Sequence, residues 1–402
     1  MGCCAKKKPE DADQNNNDKE KIEILNVTEK PNKISEEQNN IDEDNNEETE
    51  QTLNIKVSYN DFKPLKLLGR GSFGEVLLVR LKATNKVYAM KILDKKTIIS
   101  YNQEEHTKAE RDLMVKVDCP FIVDIKFAFQ DKQNLYLLTE FMQGGELFFH
   151  LYREKRFTNE KARFYAIEII LAIEFLHQKK MMYRDLKPEN VLIDKKGHIK
   201  ITDFGLSKIL SKEKEKTYTI CGTPQYLAPE ILAGEGYDDA VDWWSLGCIL
   251  YKMLIGVDPF HFSRDESLCA EMFEVDVFIP DYVTKQAKDL IKKLLITNPK
   301  KRLGWGPGGV DKIKSHPYFK DVDWEKAWKK ELEPPFVPEL KDEMDLKYFD
   351  KGFTDERVES FTEEEPSSQN VVFKGFTFVN QSFGKDTLND GRTSDATNNS
   401  KD

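Results

Sequence analysis

The sequence has no run of about 18 apolar residues, so nothing in it reads as a membrane-spanning helix. Cysteine is scarce, 6 in 402 residues, with no Cys-x-x-Cys pair and no zinc spacing. A disulfide framework and a zinc module are therefore excluded, and a reducing, cytoplasmic compartment is expected. A basic excess is also missing: 61 Lys and Arg stand against 71 Asp and Glu, a formal net charge of -10. General nucleic-acid binding needs a basic face to displace counterions, so no nucleic-acid partner is expected, and basic or neutral partners fit better. With 39% hydrophobic and 33% charged residues, the chain can bury one large core and should carry extensions around it.

Residues 1–58 are poor in aromatics and rich in Asn, Asp and Glu. Such a composition cannot bury enough surface to fold, so a disordered tether or a target of modification is expected there. Its start, Met1-Gly2-Cys3-Cys4-Ala5-Lys6-Lys7-Lys8, offers Gly2 for myristoylation, Cys3 and Cys4 for palmitoylation, and a basic cluster for an anionic membrane surface. Lys6 departs from the Ser or Thr usual in that pattern. One acyl chain binds a membrane only marginally and needs a second signal, and here two further signals lie alongside.

What is present beyond this arm is phosphate-transfer chemistry. In Tyr183-Arg184-Asp185-Leu186-Lys187-Pro188-Glu189-Asn190, Asp185 offers a carboxylate that can accept a proton from an attacking hydroxyl. After the apolar Val191-Leu192-Ile193 comes Asp203-Phe204-Gly205, where Asp203 offers a hard oxygen ligand for Mg²⁺. Upstream, Leu67 to Val79 reads as strand, glycine turn, strand, in which Gly69, Gly71 and Gly74 let backbone amides approach phosphate oxygens. The glycine pattern alone also fits a dinucleotide-binding turn, but that fold demands a helix after it and here a strand follows. Tyr88-Ala89-Met90-Lys91-Ile92 is expected as a third strand with one lysine in an apolar setting. Glu110 lies on an expected helix from Glu104 to Val117, with apolar positions Ala109, Leu113 and Val117. A longer stripe, Ala162, Tyr165, Ala166, Ile169, Ala172, Ile173 and Leu176, keeps a helical period and reads as core, as do helices over 240–254 and 287–295.

These motifs resemble the protein kinases, and over residues 60–380 the AGC group of Ser/Thr kinases in its ribosomal-protein kinase and protein kinase B branch. Tyr183 stands where the wider family more often has His, a replacement frequent in this group. The resemblance implies an α+β, two-lobed fold with a small, mainly β N-lobe and a larger helical C-lobe over residues 62–319, an AGC tail with a hydrophobic motif over 320–384, and a disordered end over 385–402. It implies ATP and Mg²⁺ as cofactors. Asp185, Lys187, Asn190, Lys91 and Glu110 would be catalytic, with Asn190 and Asp203 as metal ligands. The nucleotide would lie against Leu68, Gly69, Gly71, Ser72, Phe73, Gly74, Val76, Ala89, Lys91, Thr139 as gatekeeper, Glu140, Met142, Glu189, Asn190 and Asp203. Asp242 would brace the catalytic loop, and Ala228-Pro229-Glu230 would meet a distant Arg302.

Lys187 with Gly222-Thr223-Pro224 is the Ser/Thr-kinase pattern, and Thr223, Glu146 and Glu189 match the substrate-binding positions. The two carboxylates receive an Arg three residues before the acceptor in this group, so basic protein substrates are expected. Lys252 replaces the glutamate that helps receive a second basic residue, which should weaken selection at minus two. Pro335-Phe336-Val337-Pro338, Tyr348-Phe349-Asp350 and Phe373-Lys374-Gly375-Phe376-Thr377-Phe378 follow the group's tail order. Activation by an upstream kinase is implied at Thr219 and Thr377, with Arg184, Lys208 and His106 gripping the first phosphate and Ser360 or Thr362 as a further site. A pseudokinase scaffold would keep the fold but normally loses Lys91, Asp185 or Asp203, and all three are present. A membrane-tethered adaptor acting through the arm is the other reading, and phosphate transfer to a peptide discriminates the two. Gly2→Ala is expected to release the protein from membranes and Cys3→Ser with Cys4→Ser to weaken retention, whereas a wholly soluble wild type on fractionation rules the anchor out.

Overall fold

The structure is a computed structural model that describes residues 57–71, 74–210, 216–260, 277–358 and 371–380. Gly2, Cys3, Cys4, Ser72, Phe73, Ser360 and Thr362 lie outside the described residues.

Five strands, β1 (Phe62–Gly71), β2 (Gly74–Leu81), β3 (Val87–Asp94), β4 (Ile125–Gln130) and β5 (Asn134–Glu140), form an antiparallel sheet in the order β1-β2-β3-β5-β4. Side chains alternate across a pleated strand, so Tyr88, Met90 and Ile92 of β3 enter one apolar cluster with Phe62, Phe127 and Tyr136. Lys91 is sent to the opposite face, toward the helices that follow. The first, α1 (Lys95–Ser100), is capped by Asp94, whose carboxylate accepts from the Thr97 amide at 2.8 Å.

The second, α2 (Glu104–Lys116), corrects one expectation. Ala109 is exposed and Val117 caps the helix in an extended conformation, while the buried face is Thr107, Glu110, Leu113 and Met114. Positions 107, 110 and 114 share a face at 3.6 residues per turn, whereas steps of four drift around the helix. The apolar stripe was misplaced because one of its true members is a glutamate.

In the larger lobe, β6 (Gly145–Glu146) leads into α3 (Leu147–Glu154), and Thr158 caps the long α4 (Asn159–Gln178). The expected stripe from Ala162 to Leu176 is buried throughout. Around the catalytic segment β7 (Met181–Met182) pairs with β10 (Lys208–Ile209), and β8 (Val191–Ile193) pairs with β6 and β9 (Ile199–Ile201). Further along the chain are α5 (Pro229–Leu232), α6 (Ala240–Ile255) and α7 (Lys285–Leu294). Helix α6 packs on α4 and α7, and it ends at Gly256, whose φ of 95° suits only glycine and whose missing side chain makes room for the Lys155 carbonyl.

The tail packs first on α3 of the larger lobe and then returns to the smaller one. Phe336 and Tyr348 pack on the buried His150 ring at 4.8 and 5.2 Å, and Phe349 stacks on Phe141 at 5.5 Å. Lys66 Nζ donates to the Thr354 carbonyl at 2.8 Å. Farther on, Phe373 and Phe376 are buried and β11 (Phe378–Val379) pairs antiparallel with β4, adding a sixth strand. Burying the two rings supplies about 3 kcal/mol or more before ordering costs.

Arg302 and Glu230, 72 residues apart, meet in a buried two-point ion pair at 2.6 and 2.9 Å. Removing one member strands the other charge in the core. Arg302→Ala is expected to destabilise the domain by about 3–5 kcal/mol, read as a lowered denaturation midpoint, and an unchanged midpoint refutes it.

Candidate active site

The site is assembled where the two lobes meet. Lys91 Nζ donates to Glu110 Oε1 at 2.9 Å and lies 3.2 Å from Asp203 Oδ1. Partial burial works against the charge on Lys91, yet the two carboxylates more than restore it and its pKa is raised. Asp203 is held below the usual carboxylate range chiefly by Lys91, whereas burial pushes Glu110 up. Asp203 adopts φ of 61°, a left-handed conformation rare outside glycine, which turns its carboxylate onto the lysine.

The second constellation surrounds Asp185. Lys187 Nζ donates to its Oδ2 at 2.8 Å, Thr223 Oγ1 to its Oδ1 at 2.8 Å, and Asn190 Nδ2 to its Oδ2 at 3.0 Å. Lys187 also reaches Thr223 Oγ1 at 2.9 Å, so a residue 38 positions beyond Asp185 is bound into the same cluster. Because its amide nitrogen is turned onto Asp185, Asn190 keeps Oδ1 for another partner.

The loop is held from below by Asp242, which is fully buried and accepts from the amides of Tyr183 and Arg184 at 2.9 and 2.8 Å and faces His177 Nε2 at 2.8 Å. Those contacts stabilise the left-handed Arg184, φ 70°. Tyr183 fills the buried slot beneath: its ring packs edge-on against Phe204 at 5.4 Å and its hydroxyl donates to the Thr202 carbonyl.

Around the nucleotide positions, Ala89 pairs with Thr139 across β3 and β5, and Met142 is buried where that strand leaves the sheet. Leu68 and Val76 sit on β1 and β2, and the Glu140 side chain binds the Asp124 amide at 3.0 Å and Lys200. A Cβ on Gly74 would collide with the Ile92 carbonyl, so that glycine serves packing. Gly69 has nothing within 4 Å of such a Cβ and Gly71 only one atom at 4.0 Å. Their bareness leaves a cradle open above the backbone.

Glu146 and Glu189 lie close enough for their charges to interact. Burial and then the Glu189 charge push the Glu146 carboxyl up to about 7, although much of that residue is exposed. Glu189 Oε2 is buried without a hydrogen-bond partner. Lys252 differs from expectation: its Nζ is paired with Asp258 at 2.9 Å and with the Tyr226 hydroxyl at 3.0 Å. Asp258 follows the Gly256 turn and neutralises the cation, so this corner is balanced rather than positive.

The expected phosphate grip is brought together only in part. Arg184 Nη1 meets Tyr237 Oη at 3.3 Å, and that hydroxyl donates to the Thr219 carbonyl at 2.6 Å. Lys208 is on β10, and His106 Nδ1 instead faces Gln103 Oε1 at 2.9 Å. Sequence reasoning missed Lys95, Gln130 and Arg111. Lys95 Nζ, buried and with its pKa lowered by desolvation, donates to the carbonyls of Asp131 and Val371 at 2.7 and 2.8 Å. Gln130 exchanges two bonds with the Phe373 backbone at 2.8 and 3.0 Å, and Arg111 lies over the Phe376 ring at 5.8 Å. An arginine beside Glu110 and a lysine opening α1 just after β3 were the only local hints, and neither is a motif.

A lysine and glutamate joined between β3 and α2, facing a braced Asp and Asn in a second lobe, define the protein-kinase class. Residues 62–319 match the protein kinase domain and residues 340–378 the protein kinase C terminal domain. The serine/threonine-protein kinase YPK2/YKR2 of Saccharomyces cerevisiae is 44% identical over 342 residues, which are 85% of this chain and 50% of the yeast protein. Protein kinase 2 of Dictyostelium discoideum is 45% identical over 331 residues, 81% of this chain and 68% of the relative. The RAC family serine/threonine-protein kinase homolog of the same organism is 43% identical over 331 residues, 81% of this chain and 74% of the relative. The chain thus spans half the length of the yeast relative it matches. It belongs to the protein kinase family, within the AGC group of serine/threonine kinases.

Proposed function

We propose that the protein transfers the γ-phosphoryl group of ATP to Ser or Thr hydroxyls in basic protein segments. The observation that carries this reading is the pair of constellations, Lys91 between Glu110 and Asp203, and Asp185 braced by Lys187, Asn190 and Thr223. The residues fit nucleotide and metal. Gly69 and Gly71 leave room for phosphates beside the Lys91 charge, and Asp203 with Asn190 Oδ1 offers hard oxygens.

Asp203 and Asn190 would hold Mg²⁺, which would supply neutralisation of the charge developing on the phosphate oxygens. Asp185 orients the acceptor hydroxyl and takes its proton as the new oxygen–phosphorus bond forms and the bond to ADP breaks. Lys187 steadies the carboxylate and the peptide side of the loop, and Glu140 and Met142 hold adenine through backbone groups. Asp185→Asn is expected to lower kcat roughly 10²–10⁴-fold with nucleotide binding nearly intact. Asp203→Asn should weaken Mg·ATP binding as well. ATP titration separates them, and unchanged turnover in the first variant sinks the assignment.

Glu146 and Glu189 receive an Arg three residues before the acceptor, the buried, unpartnered Glu189 Oε2 supporting that role. Selection at minus two is weak because Lys252 and Asp258 already satisfy each other. Since the empty Glu146 carboxyl titrates near 7, it is neutral at lower pH and charged above. A peptide library should therefore show Arg selection at minus three that strengthens from about pH 6 to pH 8, with little at minus two. Equal selection at both positions, or a flat pH response, contradicts this.

An upstream kinase switches the enzyme on at Thr219 and Thr377, both exposed. A phosphate on Thr219 would lie beside Tyr237 and Arg184, next to the catalytic Asp. The tail rings bear on α2 through Arg111, adjacent to Glu110, so docking favours the closed Lys91–Glu110 pair. Thr219→Ala should nearly abolish activity and Phe376→Ala should lower it. Full activity of an unphosphorylated, tail-deleted protein overturns the scheme.

A further inference from the structure

We propose that the substrate groove continues onto a basic, aromatic face of α3, which takes an acidic segment bearing aromatic residues on the N-terminal side of the acceptor. This rests on the reading above, in which the acceptor lies at Asp185 and the residue three before it at Glu146. Glu146 is the N-cap of α3, so a peptide running past it away from Asp185 meets that helix.

Three cations crowd the end of α3: Arg153, Lys155 and Arg156 are exposed, and among the described residues none has a carboxylate partner. Glu154, the acid in the same run, is taken by Lys161 at 2.6 Å. Exposed aromatic rings accompany them. Tyr152 is 68% exposed beneath Lys155 Nζ at 4.7 Å, and Tyr282 is 55% exposed beneath the Arg156 guanidinium at 4.2 Å. Phe278, 79% exposed, adjoins through its carbonyl, held by the Tyr251 hydroxyl at 2.9 Å. Phe148 joins the face to the groove: it stacks toward Tyr152 at 6.5 Å and lies 5.7 Å from Lys252 Nζ.

The groove therefore changes sign along its length. It is acidic at Glu146 and Glu189, neutral at the Lys252–Asp258 pair, and basic beyond. Large exposed rings flanked by cations that have no carboxylate partner among the described residues are an unusual way to end a helix, and they mark a contact face. Carboxylates on the incoming segment would meet the cations, and its rings the exposed Tyr and Phe. A segment of that composition followed by a single Arg matches the sequence of charges; a uniformly basic segment does not.

The test compares three synthetic peptides on the full chain: a short one with Arg three residues before Ser, the same extended N-terminally by Asp, Glu and Phe, and the same extended by Gln and Ala. The acidic extension is expected to lower KM about tenfold relative to the neutral one with kcat unchanged, the sum of a few exposed ion pairs. Added salt should erase the gain. So should the triple variant Arg153→Glu, Lys155→Glu, Arg156→Glu, whose kinetics on the short peptide stay those of the wild type and report its folding. Equal KM for the two extensions overturns the proposal, whether the face is idle or filled by the chain's own acidic residues 9–58. If the short peptide itself is not phosphorylated, it is the reading of the groove that fails.

Discussion

A lysine held between two carboxylates is the constraint on which the remaining structure depends. Lys91, Glu110 and Asp203 come from a strand, a helix and a loop of the other lobe, and their charged atoms lie within 3.2 Å of the lysine nitrogen. Glu110 is pushed toward its neutral form by burial, and Lys91 facing it pulls the other way. A helix with a buried glutamate can dock in one place only, beside that lysine. The position of α2 is thereby set by chemistry as well as by packing, and the tail acts on the same helix through Arg111 and Phe376.

The cluster of Asp185, Lys187 and Asn190 was legible because its contacts are local. Asp185, Lys187 and Asn190 are within five residues of each other, and the structure joins them by direct hydrogen bonds. The long buried helix was legible because its apolar positions recur with the period of a helix. Helix α2 was misread in face, since counting apolar residues passes over a glutamate whose burial depends on a lysine in another element. Lys252 was misread in charge for the opposite reason: its partner Asp258 is near in sequence but lies beyond a left-handed glycine that folds the chain back.

What could not be read were contacts that close over long separations. Gln130 meets Phe373 across 243 residues, and Lys95 meets Val371 across 276. Neither Gln130 nor Lys95 carries a periodic or motif signal, because each acts through backbone groups of a distant segment. Tyr237 belongs with them: its hydroxyl ties Thr219 to Arg184, and nothing around it in the chain announces that bridge.

The sixth strand has a consequence for how the molecule comes into being. Asn380, just past β11, bonds to Asp124 and Ile125 beside β4, and 256 residues separate it from the first of these. During synthesis every other strand of that sheet leaves the ribosome, and the whole second lobe follows, before β11 arrives. Until then β4 is an edge strand with unpaired backbone groups, the kind of template on which nascent chains associate. The last folding step therefore closes a loop nearly as long as the catalytic domain, a slow event by its chain entropy. Its completion seals the sheet and seats the tail in one act, so a chain that has finished folding is also one whose α2 has received its partner.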